Sequence, residues 1–210
     1  MKLDDAFKKK IDDRIKEFGE AMSETDEDTI SIGFKRLNEN ATIPTKAHPT
    51  DSGFDLYAAE DVIIEPGETV IVPTGIAVEL PKGYEAQVRP RSGITAKTKL
   101  RVQLGTIDQE YTGEIGVIVD NIGVKEICDL DLNSGTVEYC EPSYPYLLNG
   151  TISDDWEDYT GTPKPTYKIR KGDRIAQLVV QALPEVVAVE IDDFTEESER
   201  GAGGFGSTGV

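Results

Sequence analysis

The chain has 210 residues, 38% of them hydrophobic, and its formal net charge at pH 7 is -18. This length can bury one substantial core with smaller appended pieces, and the acidic charge disfavours polymeric nucleic acid as a ligand, because such binding depends on Lys and Arg neutralising phosphates. No apolar stretch approaches the roughly 20 residues of a bilayer span, and no secretory signal opens the chain, so we expect a cytoplasmic protein without a membrane segment.

The first 24 residues predict an amphipathic helix. Its five large apolar residues recur at spacings of three and four, with charged residues between them: Phe7, Ile11, Ile15, Phe18 and Met22. We interpret this helix as packing on its own domain or on a symmetry mate, and the alternative is a helix that binds a partner. The acidic and small residues that follow indicate a linker, so residues 1–29 are expected to form an N-terminal extension.

From Ile30 onward the hydrophobic period changes to alternation, and glycine and proline punctuate the chain at short intervals. This rhythm is typical of sandwiches and barrels, so we predict a compact all-β domain made of residues 30–122 and 166–199. Gly67, Gly83 and Gly172 stand where tight turns are expected. The predicted strands are 30–37, 54–58, 62–65, 68–73, 75–80, 84–89, 100–104, 115–121, 166–170, 174–183 and 186–191.

Residues 123–165 interrupt this rhythm with a connection of roughly 40 residues, far longer than the usual link between strands. The segment contains several aromatic residues and both cysteines, Cys128 and Cys140, which give it bulk for a small core of its own. We therefore predict an inserted subdomain. Both cysteines are expected to be thiols, because they lack partners at metal-binding spacing and a cytosol is reducing.

Five short stretches combine acids, arginines, hydroxyls and glycines, although each one also fits an ordinary turn or tail. In chain order they are residues 51–56 (DSGFDL), 89–93 (RPRSG), 104–114 (LGTIDQEYTGE), 172–178 (GDRIAQL) and 200–210 (RGAGGFGSTGV). The last contains five glycines, which oppose regular structure and by themselves predict a flexible tail.

Together and in this order, these stretches resemble the five motifs of the trimeric dUTPase family. The resemblance implies a jelly-roll (β-clip) subunit that forms a homotrimer with active sites at the subunit interfaces. It also implies that the chain hydrolyses dUTP to dUMP and pyrophosphate by water attack on the α-phosphate, with Mg²⁺ as cofactor. In the family the second and fourth motifs come mainly from one chain, the first and third complete the site, and the tail closes over it from another chain.

The resemblance also implies roles for individual residues. Asp108 matches the catalytic aspartate that orients and deprotonates the attacking water. Tyr111 matches the tyrosine that packs on deoxyribose and excludes a ribose 2′-hydroxyl, and Asp55 matches the aspartate that reaches magnesium through water. The remaining substrate-binding residues are Arg91, Ser92, Gly93 and Gln177 for the phosphates, Gly105 and Ile107 in the hairpin that reads uracil, and Arg200, Phe205, Gly206, Ser207 and Thr208 in the lid.

The sequence departs from the family pattern in small ways: Thr112 stands where an arginine commonly follows the tyrosine, Gln109 and Glu110 vary the acidic pair before it, and Thr95 replaces a common small apolar residue. The large departures are the segment 123–165 and the N-terminal helix, which are both absent from the minimal family. Such an insert is similar to those of some bacteriophage members, which would put the protein in a host cytoplasm. Its acidic and aromatic stretch 154–159 fits a basic protein surface, so we expect an accessory protein-binding unit outside catalysis. The alternative is a subdomain that only packs on the trimer.

Two other functions stay open from the sequence. A dCTP deaminase shares the fold and the triphosphate, but it would need a glutamate acting on the cytosine ring where this chain has Asp108. A nucleotide-gated regulatory binding protein would keep the pocket as a switch without turnover.

Overall fold

The computed structural model describes residues 30–131, 134, 136–139, 144–153 and 164–193. The predicted helix at 1–24, the tail at 200–210, Cys140 and the stretch 154–159 lie outside these residues. No helix in the described part is long and apolar enough to cross a membrane.

Thirteen strands and one short helix are formed by the described residues. Pro90 directly follows β6 and cannot donate a backbone hydrogen bond, which favours the end of that strand. In chain order the elements are β1 (Gly33–Arg36), β2 (Phe54–Tyr57), β3 (Val62–Ile64), β4 (Thr69–Pro73), β5 (Ile76–Glu79), β6 (Tyr84–Arg89), α1 (Ser92–Lys97), β7 (Leu100–Val102), β8 (Gly105–Ile107), β9 (Gly116–Asn121), β10 (Ile127–Asp131), β11 (Thr136–Tyr139), β12 (Tyr167–Ile169) and β13 (Arg174–Ala182).

The largest sheet has four strands in the order β2-β13-β6-β8, and a second sheet has the order β4-β9-β7. Three further pairs join β1 to β5, β3 to β12 and β10 to β11. Every one of these pairings is antiparallel. The predicted all-β, jelly-roll class is confirmed.

The core is aliphatic and follows from the alternation in the sequence. In β9, Val117 and Val119 are buried whereas Ile118 between them is exposed, because successive side chains of a strand point to opposite faces. Full burial of one such side chain contributes on the order of 1.5–3 kcal/mol. The largest completely buried aliphatic side chains are Leu56, Ile64, Val72, Ile76, Leu100, Ile169, Ile175 and Leu178.

The predicted turns at three glycines are confirmed by backbone geometry. Gly67, Gly83 and Gly172 have φ angles of 84°, 84° and 86° and lie between β3 and β4, β5 and β6, and β12 and β13. A side chain with a Cβ is strained at such angles, so glycine is the favoured residue.

Several predicted boundaries are wrong by a few residues, and one predicted strand is absent. The strand expected at 30–37 shortens to β1, and the one expected at 75–80 shortens to β5. Residues 186–191 form no strand, and Val186, Val187 and Val189 are 75–79% exposed. The alternation is present in this segment, but a strand also needs a neighbour, and none of the described strands pairs with it.

The sequence does not predict three of the elements, namely α1 and the two strands of the hairpin β10-β11, whereas β8 falls in the hairpin expected at the third motif. The second motif was interpreted as a turn, yet Ser92 and Gly93 begin α1. Thr98 ends this helix by donating both its backbone N–H and its hydroxyl to the carbonyl of Ile94, at 3.0 and 2.7 Å.

One part of the insert, residues 144–153, packs on the core of the domain. Tyr146 donates its backbone N–H to Thr166 and accepts from the N–H of Lys168, at 2.8 and 2.9 Å. Its ring lies 5.6 Å from that of Tyr167. Burial, together with the nearby Glu126 and Tyr167, raises the pKa of the Tyr146 hydroxyl above its usual value. The predicted subdomain therefore shares packing with the sheet at this point.

Asn121 provides a stability test, because its buried amide joins three chain segments. Its Nδ2 donates to the carbonyls of Ile64 and Pro165 at 3.0 and 2.7 Å, and its Oδ1 accepts from Gly123 N–H at 3.0 Å. We expect Asn121→Ala to lower the free energy of unfolding by about 2–4 kcal/mol, since buried polar groups lose their partners. Urea unfolding at fixed protein concentration measures this change.

Asn40→Ala is the matched control for this prediction. Asn40 is exposed and its side-chain oxygen accepts a single bond from Lys171 Nζ, at 2.6 Å. Removal of the Asn40 side chain is expected to lower the free energy of unfolding by about 0.5 kcal/mol or less. Equal losses from the two substitutions would contradict the role given to Asn121.

Candidate active site

A cavity of about 580 Å³ opens where β2, β13 and α1 meet. Residues predicted from three separate motifs line it together. These are Asp55 of the first motif, Arg91, Ser92 and Gly93 of the second, and Gln177 of the fourth.

The register of β13 explains this convergence. Gln177 lies opposite Asp55 of β2 on one side and opposite Arg89 of β6 on the other. Directly opposed residues on adjacent strands bring their side chains within contact distance on one face of a sheet. Its Nε2 donates to the Pro90 carbonyl at 3.0 Å, which ties β13 to the segment leading into α1.

Gly53 permits the close packing of the first motif against Gln177. A Cβ at Gly53 would lie 3.0 Å from Gln177 Oε1 and 3.1 Å from its Cβ. These distances are too short for an added methyl group without movement of Gln177. Packing therefore favours glycine at this position of the first motif.

At the cavity wall, the carboxylate of Asp55 lies between two guanidinium groups. Asp55 Oδ1 lies 3.0 Å from Arg91 Nε, and its Oδ2 lies 3.2 Å from Arg174 Nη1. Arg91 Nη1 also donates to the Arg174 carbonyl at 3.0 Å. The Asp55 side chain is only 14% exposed, so these charge-assisted bonds hold both arginines at the cavity.

Arg174 was missed as a site residue by the sequence analysis, although it belongs to the fourth motif. Lys97, Leu148 and Asn149 also line the cavity and were missed. Lys97 is the last residue of α1, shortly after the second motif. Its positive charge so close to that motif is a sequence feature that could have indicated a phosphate-binding residue. Nothing in the local sequence around Leu148 and Asn149 indicates a site.

Ser92 and Gly93 can supply backbone donors to an anion. They are the first residues of α1, and the first N–H groups of a helix have no acceptor within the helix. Because both residues line the cavity, these N–H groups are available to phosphate oxygens there.

Two other carboxylates at the cavity each accept a backbone hydrogen bond within a turn. Asp51 Oδ2 accepts from His48 N–H at 2.8 Å, and Asp173 Oδ2 accepts from Arg170 N–H at 2.9 Å. The described residues contain no group of three or more His, Cys, Asp or Glu that could enclose a metal ion. Asp55 is the cavity carboxylate that could contact a hydrated Mg²⁺, an ion that keeps waters and takes one or two carboxylates together with phosphate oxygens.

The third motif lies apart from this cavity. Asp108 follows β8, the outer strand of the four-stranded sheet, and is exposed. Tyr111 donates its N–H to the Asp108 carbonyl at 3.0 Å and its hydroxyl to the Glu114 carbonyl at 2.9 Å. Neither Asp108 nor Tyr111 lines the cavity. A single chain thus brings together the first, second and fourth motifs but leaves the third outside.

Gly105 and Ile107 belong to β8, where they lie opposite Val88 and Ala86 of β6. Ile107 is 6% exposed and packs into the core. The five predicted lid residues, Arg200, Phe205, Gly206, Ser207 and Thr208, lie outside the described residues.

Comparison with protein families gives one match that covers most of the chain. Residues 39–128 and 160–209 match the dUTPase family. The deoxyuridine 5'-triphosphate nucleotidohydrolase of Thermobifida fusca is 38% identical over 183 residues, which are 86% of this chain and 80% of that protein. The corresponding protein of Clostridioides difficile is 37% identical over 181 residues, covering 85% of this chain and 98% of that protein.

Solved structures give the same result. The dUTPase of Staphylococcus bacteriophage 80alpha with dUPNHPP has a TM-score of 0.76 and 32% identity, covering 87% of this chain and all (100%) of that one. The dUTPase from phage phi11 of S. aureus, which has a species-specific insert, gives 0.69 and 28% over 80% of this chain and 100% of that chain. A mutant of the phi11 protein, at 0.69 and 29% with 80% and 100% coverage, shows the coordination of a structural Mg(II) ion.

Proposed function

The chain belongs to the dUTPase family, and we propose that the cavity between β2, β13 and α1 binds the triphosphate of its substrate. The activity is that of a dUTP diphosphatase, which converts dUTP to dUMP and pyrophosphate. We propose that water attacks the α-phosphate. The observation that carries the proposal is the convergence of Asp55, Arg91 and Gln177 from three motifs on one cavity.

Local charge supports triphosphate binding in this acidic chain. Arg91, Arg174 and Lys97 line the cavity and balance the carboxylates that also line it, so the formal charge of the lining is near zero although the chain carries -18. The planar guanidinium groups can form paired bonds with phosphate oxygens. We assign Arg91 and Gln177, with the N–H groups of Ser92 and Gly93, to the phosphates.

We further propose Mg²⁺ as the cofactor; for the related phi11 protein, a mutant structure shows the coordination of a structural Mg(II) ion. Asp55 is the carboxylate suited to an indirect contact, because it lies at the cavity wall and Mg²⁺ commonly retains its waters. When bound, the ion offsets negative charge on the phosphates. The paired Arg91 and Arg174 hold the Asp55 carboxylate in position.

For the chemical step we assign Asp108 as the base that orients and deprotonates the attacking water. Tyr111 is assigned to the deoxyribose, Gly105 and Ile107 to uracil, and the tail residues to a lid that closes on the nucleotide. Phe205 would stack on the base. Arg200, Gly206, Ser207 and Thr208 would close over the phosphates.

This assignment requires a second copy of the chain, because Asp108 does not line the phosphate cavity of its own chain. We propose the homotrimer of the family, with each site assembled from neighbouring subunits. Exposed apolar side chains support association: Val186, Val187 and Val189 lie in a segment without regular secondary structure and with no described strand beside it. A neighbouring subunit can bury them.

The deaminase alternative finds no support among these relatives, which are all named as dUTPases or deoxyuridine 5'-triphosphate nucleotidohydrolases. For the 80alpha protein, the structure is described as showing that phage dUTPases control transfer of virulence genes by a proto-oncogenic G protein-like mechanism. A regulatory activity of this chain therefore stays a prediction beside hydrolysis. A protein partner for the insert at 123–165 stays a prediction. Pyrophosphate release that is selective for dUTP over dTTP, dCTP and UTP is the direct test of the activity.

Asp108→Asn is expected to reduce kcat by about 10²–10⁴-fold, because it removes a general base but keeps the shape of the side chain. Binding of a non-hydrolysable dUTP analogue is expected to stay within about twofold of wild type. Pyrophosphate release and calorimetric titration measure the two quantities.

The control for this prediction is Glu110→Gln, which removes an exposed carboxylate two residues further along the same loop. It should leave kcat near the wild-type value. If the two variants lost activity equally, Asp108 would have no special role in the chemical step.

Mixed trimers test whether the site is shared between chains. An Asp108→Asn chain and an Arg91→Ala chain are each expected to be inactive alone. When the two are unfolded and refolded together in equal amounts, random assembly should restore about a quarter of the wild-type turnover, since some sites then combine intact Arg91 and intact Asp108.

Each variant refolded by itself is the control for the mixing experiment, and light scattering confirms that trimers form. Complete inactivity of a well-assembled mixture would show that one chain must supply both residues. This result would contradict the proposal that each site is shared between subunits.

A further inference from the structure

The second half of the insert contains a tight turn, residues 147–150, directly against the end of α1. Gly150 donates its N–H to the Leu147 carbonyl at 2.9 Å, and Leu147 donates to the Thr151 carbonyl at 2.8 Å. Gly150 has a φ of 85°, and a Cβ there would lie 2.8 Å from the carbonyl oxygen of Lys97. The two backbones therefore meet at a distance that only glycine allows.

This turn is held in place by the sheet. On its N-terminal side, Tyr146 is bonded through its backbone to Thr166 and Lys168, on either side of Tyr167. On its C-terminal side, Ser153 is buried and donates its N–H to the Pro145 carbonyl at 2.9 Å. Residues 144–153 thus fix the position of the turn relative to β12.

The turn also forms one wall of the cavity assigned to the triphosphate. Leu148 and Asn149 line that cavity together with Lys97, which the turn contacts. Leu148 is partly buried against the hydrophobic core. The same short segment therefore touches the phosphate-binding helix and faces the ligand space.

The hydrogen bonds of Asn149 fix the orientation of its amide. Asn149 Oδ1 accepts from Thr151 N–H at 2.9 Å and from the Thr151 hydroxyl at 2.7 Å. Since the oxygen is occupied, Nδ2 presents two donors, and neither has an acceptor among the described residues. Lys97 likewise forms no ion pair within the described part of the chain. These groups add donors and a positive charge to the cavity.

We propose that the turn 147–150 is part of the nucleotide site, with Asn149 Nδ2 donating to a phosphate oxygen and Gly150 positioning α1 through its contact with Lys97. This differs from the expectation that the whole insert acts outside catalysis. The inference rests on the proposed function, because its ligand is the triphosphate of dUTP. The insert thereby has a structural link to the residues that hold the phosphates.

Asn149→Asp isolates the contribution of the amide donor. An aspartate keeps the oxygen that Thr151 requires, but it removes the donor and puts a negative charge beside the phosphates. We expect about tenfold weaker binding of a non-hydrolysable dUTP analogue at low salt, with unchanged binding of deoxyuridine, which has no phosphate. Asn149→Ala should give a smaller loss. Wild-type affinity for the analogue in Asn149→Asp would overturn the assignment of the amide.

Gly150→Ala tests the contact with α1, and Gly67→Ala is its matched control. The two glycines have nearly equal φ angles, 85° and 84°, so alanine is strained similarly in both. Only at Gly150 would the new Cβ meet a neighbour, because nothing lies within 4 Å at Gly67. We expect Gly150→Ala to raise KM for dUTP at least about fivefold and to weaken pyrophosphate binding, whereas Gly67→Ala leaves both within about twofold of wild type.

Light scattering and thermal unfolding establish that these variants are assembled and folded before they are compared. Equal KM values for Gly150→Ala and Gly67→Ala would overturn the positioning role of the turn. Arg91→Ala separates this inference from the proposed function. If Arg91→Ala weakens analogue binding while the Asn149 and Gly150 variants resemble wild type, only the inference fails; if the wild-type protein does not bind the analogue, both fail.

Discussion

The backbone hydrogen bonds that β13 makes to β2 on one side and to β6 on the other carry Gln177 to a position between Asp55 and Arg89. This pairing is what turns three separated stretches of sequence into one cavity. A shift of one residue in either register would turn the side chains of a strand to the opposite face of the sheet. The geometry of the site is therefore set first by the pairing of these strands, and the charged side chains act within that geometry.

The ion pairs of Asp55 orient two arginine side chains at the cavity and contribute little to the stability of the fold. Arg91 and Arg174 are 29% and 49% exposed, and pairs of this kind contribute little to folding because water screens them. Their geometry nevertheless holds two guanidinium groups at one wall of the cavity. An acidic protein can in this way offer guanidinium donors to a triphosphate.

The insert is joined to the β-domain through β12. The backbone of Tyr146 is bonded on either side of Tyr167, and the adjoining turn reaches Lys97 at the end of α1. Packed segments with such contacts transmit small displacements, since protein interiors yield little to compression. A change in the insert therefore has a direct physical route to the helix that carries Ser92 and Gly93.

The sequence by itself determined the all-β class, most strand positions and the family, because alternation, turn glycines and short motifs are local features of a chain. It also predicted Asp55, Arg91 and Gln177 as site residues, and all three line one cavity in the structure. Only the tertiary structure decided that the first motif joins the second and fourth within one chain, that Asp108 stands apart, and that Arg174 and Asn149 reach the cavity. It also decided against a strand at 186–191. These outcomes depend on which segments become neighbours in space, and pairing across a sheet or between subunits leaves no mark in the local pattern of residues.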